Sequence, residues 1–382
     1  MGQQRTILFG VTSSESLKLL GLLPEKMVQA GWQVHVVSAD GLEVSSRVSP
    51  GVVVQVIPMK REPSPLGDVV ALLKWWRLLG KVKPDVVSIG TPKASLLGLL
   101  AARVRRIPVR VYVLRGLRLE GTRGFLRTLL YWLESLTSSN STHIISVSPS
   151  LRDLYVSLKL SDIAKVSVIG MGSSHGVDTN AFRPEQSKEL GPSLSHLTEA
   201  VRGGRPVLGF VGRFSEDKGA LTLLACKRHL AESGIEHELV IVGPIEGASE
   251  VLSAMNSVGR PVTHVGHVQD LTPFYSVFDL LLLPTKREGF PNVVLEAAAA
   301  GVPVVTTSAT GAVDSVISGV TGIVVPVGAD PAFCEEVERL ILNPALRMKM
   351  GKRARARVCK NFDQHQVTRR HMKFYRALLP VL

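Results

Sequence analysis

Short runs of β-branched and aliphatic residues alternate with stretches of helical periodicity along almost the whole chain. This alternation predicts parallel strands whose sheet is covered by helices on both faces. The pattern stops at residues 184–204, which are rich in proline, glycine, serine and charge, and then begins again. The sequence therefore predicts an α/β protein with two Rossmann-like domains, and 382 residues are too many for one ordinary core. The predicted strands are Thr6–Phe9, Val34–Val37, Val52–Ile57, Val86–Ile89, Val109–Leu114, His143–Val147 and Val166–Ile169, and then Val207–Val211, Leu239–Val242, Val262–Val265, Leu280–Leu283, Val304–Thr306 and Ile323–Val325.

The same pattern predicts where the domains begin and end. Residues 1–185 form the first domain, 186–204 a linker, 205–360 the second domain and 361–382 a separate terminal helix. Helical spacing between the strands predicts, among others, helices over Leu17–Ala30, Val69–Val82 and Ala94–Arg106. Open α/β sheets bind ligands beyond the carboxyl ends of their strands, so we expect ligands in a cleft between the two domains.

The charge of the chain indicates an anionic partner. Its formal net charge is +13, which favours nucleic acid, an acidic membrane or a phosphorylated substrate. Residues 101–133 contain eight arginines and a single acidic residue, Glu120, although a solvated arginine-rich surface would also explain this segment.

The cysteine content and the hydropathy of the chain indicate the cellular compartment in which it acts. Three widely spaced cysteines give neither a disulfide framework nor metal-ligand spacing, which suits a reducing cytoplasm. We see no signal-peptide pattern and no apolar run of about 18 residues, and so expect a soluble or peripherally bound protein.

The first chemical motif lies in residues 207–219, Val-Leu-Gly-Phe-Val-Gly-Arg-Phe-Ser-Glu-Asp-Lys-Gly. A predicted strand ends at Gly212, Arg213 follows at its carboxyl end, and a helix starts just after Lys218. Two cations beside a helix N-terminus suit a diphosphate, because the backbone N–H groups and the helix dipole also favour anions there. A βα turn with ordinary surface cations is the alternative.

The second motif lies in residues 285–301, where a buried strand runs into a loop and then a helix. Glu288 precedes the helix and Glu296 lies inside it, so both carboxylates can face the carboxyl edge of the sheet. Two carboxylates at this spacing can hold the hydroxyls of two polyol units, and the N–H groups near Asn292–Val294 can hold phosphate between them. A helix-start carboxylate and a solvated Glu296 are the alternative for either residue alone.

Together, Gly-Arg-x4-Lys-Gly and the later Glu-x7-Glu resemble retaining glycosyltransferases of family 4, which have the GT-B fold. The resemblance covers nearly the whole chain. Residues 175–184, His-Gly-Val-Asp-Thr-Asn-Ala-Phe-Arg-Pro, are similar to the interdomain segment of that family, with His175 where asparagine is usual. Asn361-Phe362 and Phe374-Tyr375 are similar to the helix that crosses back to the first domain in GT-B enzymes.

The resemblance implies a role for each matching residue and no metal or other cofactor. Arg213 and Lys218 would bind the donor diphosphate and stabilise the leaving nucleoside diphosphate, and they are the catalytic candidates together with Glu288. Glu288 would contact the transferred sugar and Glu296 the ribose. The full set of predicted donor-binding residues is Gly212, Arg213, Lys218, Glu288, Gly289, Phe290, Asn292, Val293 and Glu296.

The first domain should then bind the acceptor. Thr91-Pro-Lys and residues 115–120, Arg-Gly-Leu-Arg-Leu-Glu, resemble a bacterial subgroup that builds capsule, O-antigen and glycan precursors on undecaprenyl diphosphate. This implies transfer from a nucleotide-sugar, a UDP-sugar by preference, to a polyprenyl-diphosphate-linked saccharide at the inner face of the cytoplasmic membrane. Trp75-Trp76 is either a membrane contact or part of helix packing. The predicted acceptor-binding residues are Ser13, Ser14, Lys93, Arg115, Arg118 and Arg123.

Two alternative functions remain open. A UDP-sugar 2-epimerase would share the GT-B architecture and need no acceptor. A basic nucleic-acid- or membrane-binding protein would explain the charge, but the basic run 349–357 has no interleaved aromatic residues, and we expect no nucleic-acid partner. A nicotinamide dehydrogenase is disfavoured because the glycine run 170–176 has the wrong spacing and lies outside the first βα turn.

Overall fold

The computed structural model describes residues 4–39, 49–60, 62, 64–184, 190–191 and 194–380. The chain forms two compact units, Met1–Gly176 with Gln364–Leu382, and Val177–Asp363. Residues 177–184, which the sequence placed in the first domain, belong to the second unit. The Val177 N–H donates to the Phe362 carbonyl at 2.9 Å, and the Thr179 hydroxyl donates to the Asp363 carboxylate at 2.8 Å.

Unit 1, Met1–Gly176 with Gln364–Leu382, contains a parallel sheet in the order β3-β2-β1-β4-β5-β6-β7 within the described residues. Every strand overlaps its predicted range, because uninterrupted aliphatic runs are what a sheet covered on both faces requires. The strands are β1 Thr6–Gly10, β2 Gln33–Ser38, β3 Val52–Val56, β4 Val86–Ile89, β5 Val109–Leu114, β6 His143–Ser146 and β7 Val166–Val168.

The helices of unit 1 follow its strands, with one departure from prediction. The helix predicted over Leu17–Ala30 is broken into a 3-10 helix, Ser14–Leu20, and α1, Leu23–Gln29. Gly21 lies between them at φ +52°, where an added Cβ would lie 2.6 Å from the Cβ of His175. The other helices here are α2 Pro65–Val82, α3 Pro92–Val104, α4 Gly124–Asn140 and α5 Pro149–Ser157, with 3-10 helices Arg118–Gly121 and Ile163–Lys165.

Unit 2, Val177–Asp363, repeats the architecture with the order β10-β9-β8-β11-β12-β13. Its strands, which also overlap their predicted ranges, are β8 Val207–Val211, β9 Glu238–Val242, β10 Thr263–Val265, β11 Leu280–Leu283, β12 Val304–Thr307 and β13 Gly322–Val325. Its helices are α6 Ser195–Arg202, α7 Ala220–Glu232, α8 Ser249–Asn256, α9 Thr272–Tyr275, α10 Asn292–Ala299, α11 Ala312–Ser315, α12 Asp330–Leu342 and α13 Pro344–Asn361, with a 3-10 helix at Glu216–Lys218.

The linker predicted over 186–204 is wrong in part. Residues 195–202 form α6, whose Leu197 and Ala200 are buried in the core beneath β8 and β11. Polar composition hid the helix, because only one face of this short element is apolar. Residues 185–189 and 192–193 of the predicted linker lie outside the described residues.

The terminal helix α14, Gln364–Ala377, belongs to unit 1 and starts later than predicted, because α13 runs on to Asn361. Tyr375 anchors it: its hydroxyl lies 2.7 Å from the Ser88 hydroxyl, and its ring meets Phe9 edge-on at 6.0 Å. No helix in the described ranges has the length and apolarity needed to cross a bilayer.

In each sheet the strand order reverses once, between β1 and β4 in unit 1 and between β8 and β11 in unit 2. Loops that leave neighbouring strands in opposite directions open a crevice at such a switch point, which is where doubly wound sheets bind ligands. The switch points therefore locate the two places where the predicted site residues should gather.

Candidate functional site

The predicted donor residues lie at the switch point of unit 2. Gly212 and Arg213 follow β8 directly, and Glu288 lies on the loop that follows β11. Gly212 adopts φ +144°, a conformation that side chains disfavour, so the turn that aims Arg213 depends on glycine. The Arg213 guanidinium contacts two carboxylates, Glu246 at 2.5 Å and Asp217 at 3.8 Å.

Lys218 is held by the turn that starts α7. It ends the 3-10 helix Glu216–Lys218, and Gly219 then takes a left-handed conformation at φ +88°. A Cβ on Gly219 would lie 2.2 Å from the carbonyl oxygen of Pro284, so only glycine lets this turn approach the end of β11. The two sequence motifs are therefore in close contact at Gly219.

The contact between the two motifs is an ion pair. The Lys218 ammonium lies 2.5 Å from Glu288 Oε1 and donates to the Arg287 carbonyl at 3.3 Å. Both side chains are mostly buried, at 17% and 18% exposure, so a part-buried cation and carboxylate already face each other. Thr285 donates to the Arg287 carbonyl at 3.0 Å and lies 3.4 Å from the same Glu288 oxygen.

Asp217 links the cations around this pair. Burial alone would raise the pKa of its carboxyl, but the Ser215 hydroxyl, Lys218, Arg213 and Arg287 together hold the pKa below its ordinary value. The shortest of these contacts is the Ser215 hydroxyl at 2.6 Å. Asp217 therefore stays ionised and fixes the loop that carries both predicted diphosphate ligands.

Glu296 occupies the second turn of α10 and meets an aromatic residue that the sequence analysis did not identify. The Tyr275 hydroxyl donates to Glu296 Oε2 at 2.9 Å and also lies 3.2 Å from the Val293 carbonyl oxygen. Tyr275 is buried, and burial together with the Glu296 charge raises the pKa of its hydroxyl well above the ordinary value. The Glu296 carboxylate is thus oriented by a neutral phenol.

The start of α10 places the other predicted donor residues on one turn. The helix begins at Asn292, and the Val294 N–H donates to the Pro291 carbonyl at 3.2 Å, so that amide is used within the turn rather than offered to a ligand as predicted. Gly289 packs against Gly311, because a Cβ added to Gly311 would come within 2.1 Å of the carbonyl oxygen of Gly289. Phe290 packs at 5.4 Å from Phe362.

Sequence reasoning missed Glu246, Tyr275 and Gly311. Glu246 follows β9 by a few residues, so the rule that ligands meet strand carboxyl ends would have found it. Tyr275 lies on the short helix α9, which no sequence pattern connects with Glu296. Among the described residues, no group of three or more His, Cys, Asp or Glu side chains is arranged to hold a metal ion.

At the switch point of unit 1, the loops after β1 and β4 touch. The Thr12 and Thr91 hydroxyls lie 2.8 Å apart, and the Ser13 hydroxyl lies 3.1 Å from that of Ser16, while Ser14 is buried. Ser13 and Ser14 therefore reach the predicted edge.

Lys93 also lies at this edge, but it already has partners. Its ammonium lies 2.8 Å from the Asp68 carboxylate and hydrogen-bonds the Glu62 carbonyl. The structure thus places Lys93 as predicted and gives it a carboxylate rather than an open position.

Arg115 differs from every other predicted acceptor residue. It follows β5, and its guanidinium lies against Gly90, where an added Cβ would be 2.6 Å from Nε. Nε and Nη1 are buried and make no hydrogen bond within the described residues. Burial lowers the pKa of this guanidinium to about 10. Buried, unsatisfied donors on a cation are costly unless an anion completes them.

Two histidines that were not predicted as site residues lie close enough to Arg115 for its charge to affect them. Burial and the charge of Arg115 lower the pKa of both His175 and His371 to about 4, so both rings are neutral at neutral pH. His371 comes from α14 and is hydrogen-bonded to the backbone of Ser173, while its Nε2 has no partner in the described chain. The crossing helix therefore contributes to the polar cluster around Arg115.

The arginine-rich segment 101–133 does not act as one surface. Arg103, Arg105 and Arg106 lie at the end of α3, at the amino edge of the sheet, and Arg105 stacks on Trp76 at 3.5 Å. Arg118 and Arg123 lie beyond β5 at the carboxyl edge and are exposed. Only the second group, whose two arginines belong to the predicted acceptor residues, lies at the predicted edge.

Solved structures identify the class of this fold. Sucrose-phosphate synthase from Thermosynechococcus elongatus superposes with a TM-score of 0.82 at 20% identity, over 98% of this chain and 99% of that one. HepE from Anabaena, solved in complex with UDP and glucose, superposes with a TM-score of 0.79 at 20% identity, over 98% of this chain and all of HepE, 100%. The architecture is that of the GT-B glycosyltransferases.

Sequence comparison then gives the family. Residues 205–343 match the family model of glycosyl transferases group 1, and residues 21–172 match that of the glycosyl transferase 4-like domain. The capsular polysaccharide biosynthesis glycosyltransferase CapM of Staphylococcus aureus is 34% identical over 97% of this chain and 96% of its own length. The chain belongs to the group 1 glycosyltransferase family.

A second relative has a more specific name. The UDP-Gal:alpha-D-GlcNAc-diphosphoundecaprenol alpha-1,3-galactosyltransferase of Escherichia coli is 24% identical over 79% of this chain and 78% of its own length. None of the relatives named here is described as an epimerase, so the comparisons give that alternative no support.

Proposed function

We propose that this protein is a retaining, family 4 glycosyltransferase that moves a hexose or N-acetylhexosamine from a UDP-sugar to a polyprenyl-diphosphate-linked saccharide. The observation that carries the proposal is the joining of the two motifs at the switch point of unit 2, where Lys218 meets Glu288. In this proposal the protein acts at the inner face of the cytoplasmic membrane, in the synthesis of a bacterial surface polysaccharide or glycan.

The donor half of the proposal follows from the charges around that ion pair. Arg213 and Lys218 would each exchange one carboxylate contact for oxygens of the diphosphate. Donor binding would therefore cost the site little electrostatic free energy. Glu288, released from Lys218, would accept hydrogen bonds from the hydroxyls of the transferred sugar. Glu296, oriented by Tyr275, would accept hydrogen bonds from the ribose hydroxyls.

In the reaction the bond between the anomeric carbon and the diphosphate oxygen breaks, and a bond from an acceptor hydroxyl oxygen to the same carbon forms. The hydroxyl proton passes to the departing diphosphate, which leaves from the face that the acceptor enters. Arg213 and Lys218 neutralise the negative charge that grows on the leaving group, and prepositioned charges of this kind lower the barrier most. We propose that these two cations replace a metal ion.

The acceptor half is supported by Arg115 and by the relatives. A guanidinium with two buried nitrogens, Nε and Nη1, whose N–H groups are unsatisfied suits a phosphate oxygen of the lipid diphosphate. Ser13, Ser14, Lys93, Arg118 and Arg123 lie on the same edge of unit 1 and complete the proposed acceptor site. The Escherichia coli relative is named for a diphosphoundecaprenol acceptor.

The test is a transfer assay with the purified chain, a panel of nucleotide-sugars and an undecaprenyl-diphosphate-linked saccharide. We expect release of UDP only when both substrates are present, a lipid product heavier by one sugar, an unchanged anomeric configuration, and full activity in EDTA. Sugar interconversion without acceptor would replace the proposal with the epimerase alternative. No turnover with any donor would refute it.

Arg115 gives a separate test of the acceptor half. Arg115→Ala should raise the KM for the lipid acceptor at least about tenfold and leave UDP affinity unchanged, because a charge-assisted hydrogen bond is worth about 1.5–3 kcal/mol. Arg103→Ala, an exposed arginine on α3 at the opposite edge of the sheet, is the matched control. An unchanged acceptor KM would remove Arg115 from the site.

A further inference from the structure

The helices α2, α3 and α4 form one layer of unit 1, with α3 packed between the other two. Right-handed crossovers place helices of successive connections that run in one direction on the same face of a sheet. Each of these helices also starts beyond the carboxyl end of a strand, which is the edge that carries Arg115. The first turns of α2 and α4 therefore lie at the same edge of unit 1 as the proposed acceptor site.

The first half of α4 stands away from the body of unit 1. All residues from 123 to 129 are exposed, and Phe125 is 83% exposed. One turn further on, Trp132 is still 65% exposed. A helix start that offers a phenylalanine and a tryptophan to solvent gains nothing from folding those side chains, so another surface is expected to cover them. The exposed apolar residues of α4 are Phe125, Leu126, Leu129, Trp132 and Leu136.

Helix α2 is apolar on both of its faces. Ala71, Trp75 and Leu79 face inward and are buried, so Trp75 is a packing residue rather than a membrane contact. On the outer face the spacing i, i+3, i+4, i+7 makes an apolar stripe over the first half of the helix. That stripe consists of Leu66, Val69, Val70 and Leu73, all exposed.

The exposed charges on the described parts of α2 and α4 themselves are cationic. Glu134, the acidic residue of α4, is turned inward and accepts hydrogen bonds from the Tyr112 and Tyr155 hydroxyls at 2.6 Å and 3.2 Å. Asp68 of α2 is paired with Lys93. The exposed cations nearby are Lys74, Arg77, Arg118, Arg123 and Arg127.

We propose that the exposed apolar stripes of α2 and α4, with Arg118, Arg123 and Arg127, form a docking surface for an anionic bilayer. Apolar side chains flanked by cations are what a helix needs to lie in a membrane interface, where each cation also meets anionic headgroups. A second copy of the chain fits less well, because a twofold contact would bring the same cations against one another. We call this set of residues the α2–α4 surface.

This inference rests on the proposed function in one respect: a polyprenyl-linked acceptor requires the enzyme to work at a bilayer. The docking itself needs no substrate. It can therefore fail while transfer to a detergent-dispersed acceptor persists, and it can succeed in a protein that proves to have another activity.

Trp132 provides a local probe. Trp32 and Trp75 are buried, and Trp76, which stacks against Arg105, is 40% exposed, so Trp132 at 65% is the most exposed tryptophan of the four in the chain. We expect a blue shift of tryptophan emission when the full chain is mixed with vesicles of equimolar phosphatidylcholine and phosphatidylglycerol, and a much weaker one with phosphatidylcholine alone. Trp132→Phe should remove most of the shift, and Trp76→Phe should keep most of it. A shift as large in Trp132→Phe as in the wild type would overturn the proposal.

Vesicle co-sedimentation with paired variants tests the surface as a whole. The double variant Phe125→Ser with Trp132→Ser should weaken binding to the anionic vesicles at least about tenfold, since two large apolar side chains no longer partition. The matched control is Leu342→Ser with Met348→Ser, two apolar residues that are 61% and 70% exposed in unit 2. Both variants should keep the melting temperature of the parent, because every substituted side chain is exposed.

The arginines are tested in the same assay. Arg123→Gln with Arg127→Gln should lower binding to anionic vesicles and its dependence on salt, while Arg339→Gln, in unit 2, should change neither. Equal vesicle binding by wild type and the Phe125/Trp132 variant would overturn the proposal. A second outcome would also overturn the proposal: the wild type sediments as a dimer, and this variant converts it to a monomer without loss of vesicle binding.

Discussion

The two switch points of this glycosyltransferase are built from the same topology and differ in how their charges are satisfied. In unit 2 both predicted cations, Arg213 and Lys218, already face carboxylates, and Lys218 is within 2.5 Å of Glu288. In unit 1 two nitrogens of the Arg115 guanidinium are buried and have no partner in the described residues. The charges at the switch point of unit 2 are internally balanced, whereas in the acceptor site that we propose an anion from outside the chain would complete those of unit 1.

The difference explains why one site is compact in sequence and the other is dispersed. A balanced site needs complementary charges on neighbouring loops, and two short motifs supply them. An unbalanced site needs only a buried cation, and the groups around the cation of unit 1 come from β5, the interdomain segment and α14. Four measurements would sharpen or break this comparison.

The largest effect is expected at the balanced site. Lys218→Ala should lower kcat/KM by roughly a hundredfold to a thousandfold, as expected for a preorganised charge that stabilises the leaving group. It should also leave the Glu288 carboxylate part-buried without its cation. The measurement is UDP release under saturating acceptor, with Arg339→Ala, an exposed arginine paired with Glu336 on α12, as control. Near-normal turnover would show that the ion pair is only structural.

The next largest effect concerns acid stability in unit 1. The pKa of His371 is about 4 in the folded chain and 6.5 by default when unfolded, so the unfolded state binds more protons between these values. The free energy of unfolding should therefore fall as the pH drops from 6.5 towards 4, by at most about 3 kcal/mol from this residue.

His371→Gln should remove that part of the pH dependence, measured by urea unfolding at several pH values, and His175 should retain its own share. The exposed His267→Gln in unit 2 is the control. An unchanged slope in His371→Gln would mean that the ring is solvated in the folded protein.

A pair of glycines tests whether the two donor motifs are in contact. Gly219 and Gly234 both have positive φ, at +88° and +68°, but only Gly219 has an atom in the way of a Cβ. Gly219→Ala should therefore cost about 2 kcal/mol more than Gly234→Ala in the free energy of unfolding, since both share the strain and only one collides. Equal losses would contradict the close approach to Pro284.

The smallest effect is expected from the phenol that orients Glu296. Tyr275→Phe removes one hydrogen bond to the carboxylate and should cost about 1 kcal/mol in stability, with a few-fold loss of UDP affinity. Calorimetric titration with UDP measures the second quantity. Phe278→Leu, a change of the neighbouring buried ring, is a control for packing, because Phe278 lies 5.7 Å from Tyr275 and makes no bond to Glu296.

Much of the fold could be predicted from the sequence because strands such as Val86–Ile89 and Leu280–Leu283 are uninterrupted aliphatic runs. The elements that were mispredicted lack such a clear local pattern. The helix expected over Leu17–Ala30 is divided because Gly21 adopts a conformation that periodicity does not reveal. Helix α6 was hidden in a polar stretch, because its burial depends on a core built by strands that follow it in sequence.

By itself, the sequence determined the parallel sheets, the order of the two units and the positions of Arg213, Lys218, Glu288 and Glu296, because these depend on local periodicity and on where strands end. Only the tertiary structure decided which charges are satisfied. Tyr275 reaches Glu296, and the charge of Arg115 reaches His371 on α14, across separations in sequence that no local pattern encodes. Packing alone brings such groups together, and packing alone leaves two nitrogens of the Arg115 guanidinium without a hydrogen-bond partner in the described part of the chain.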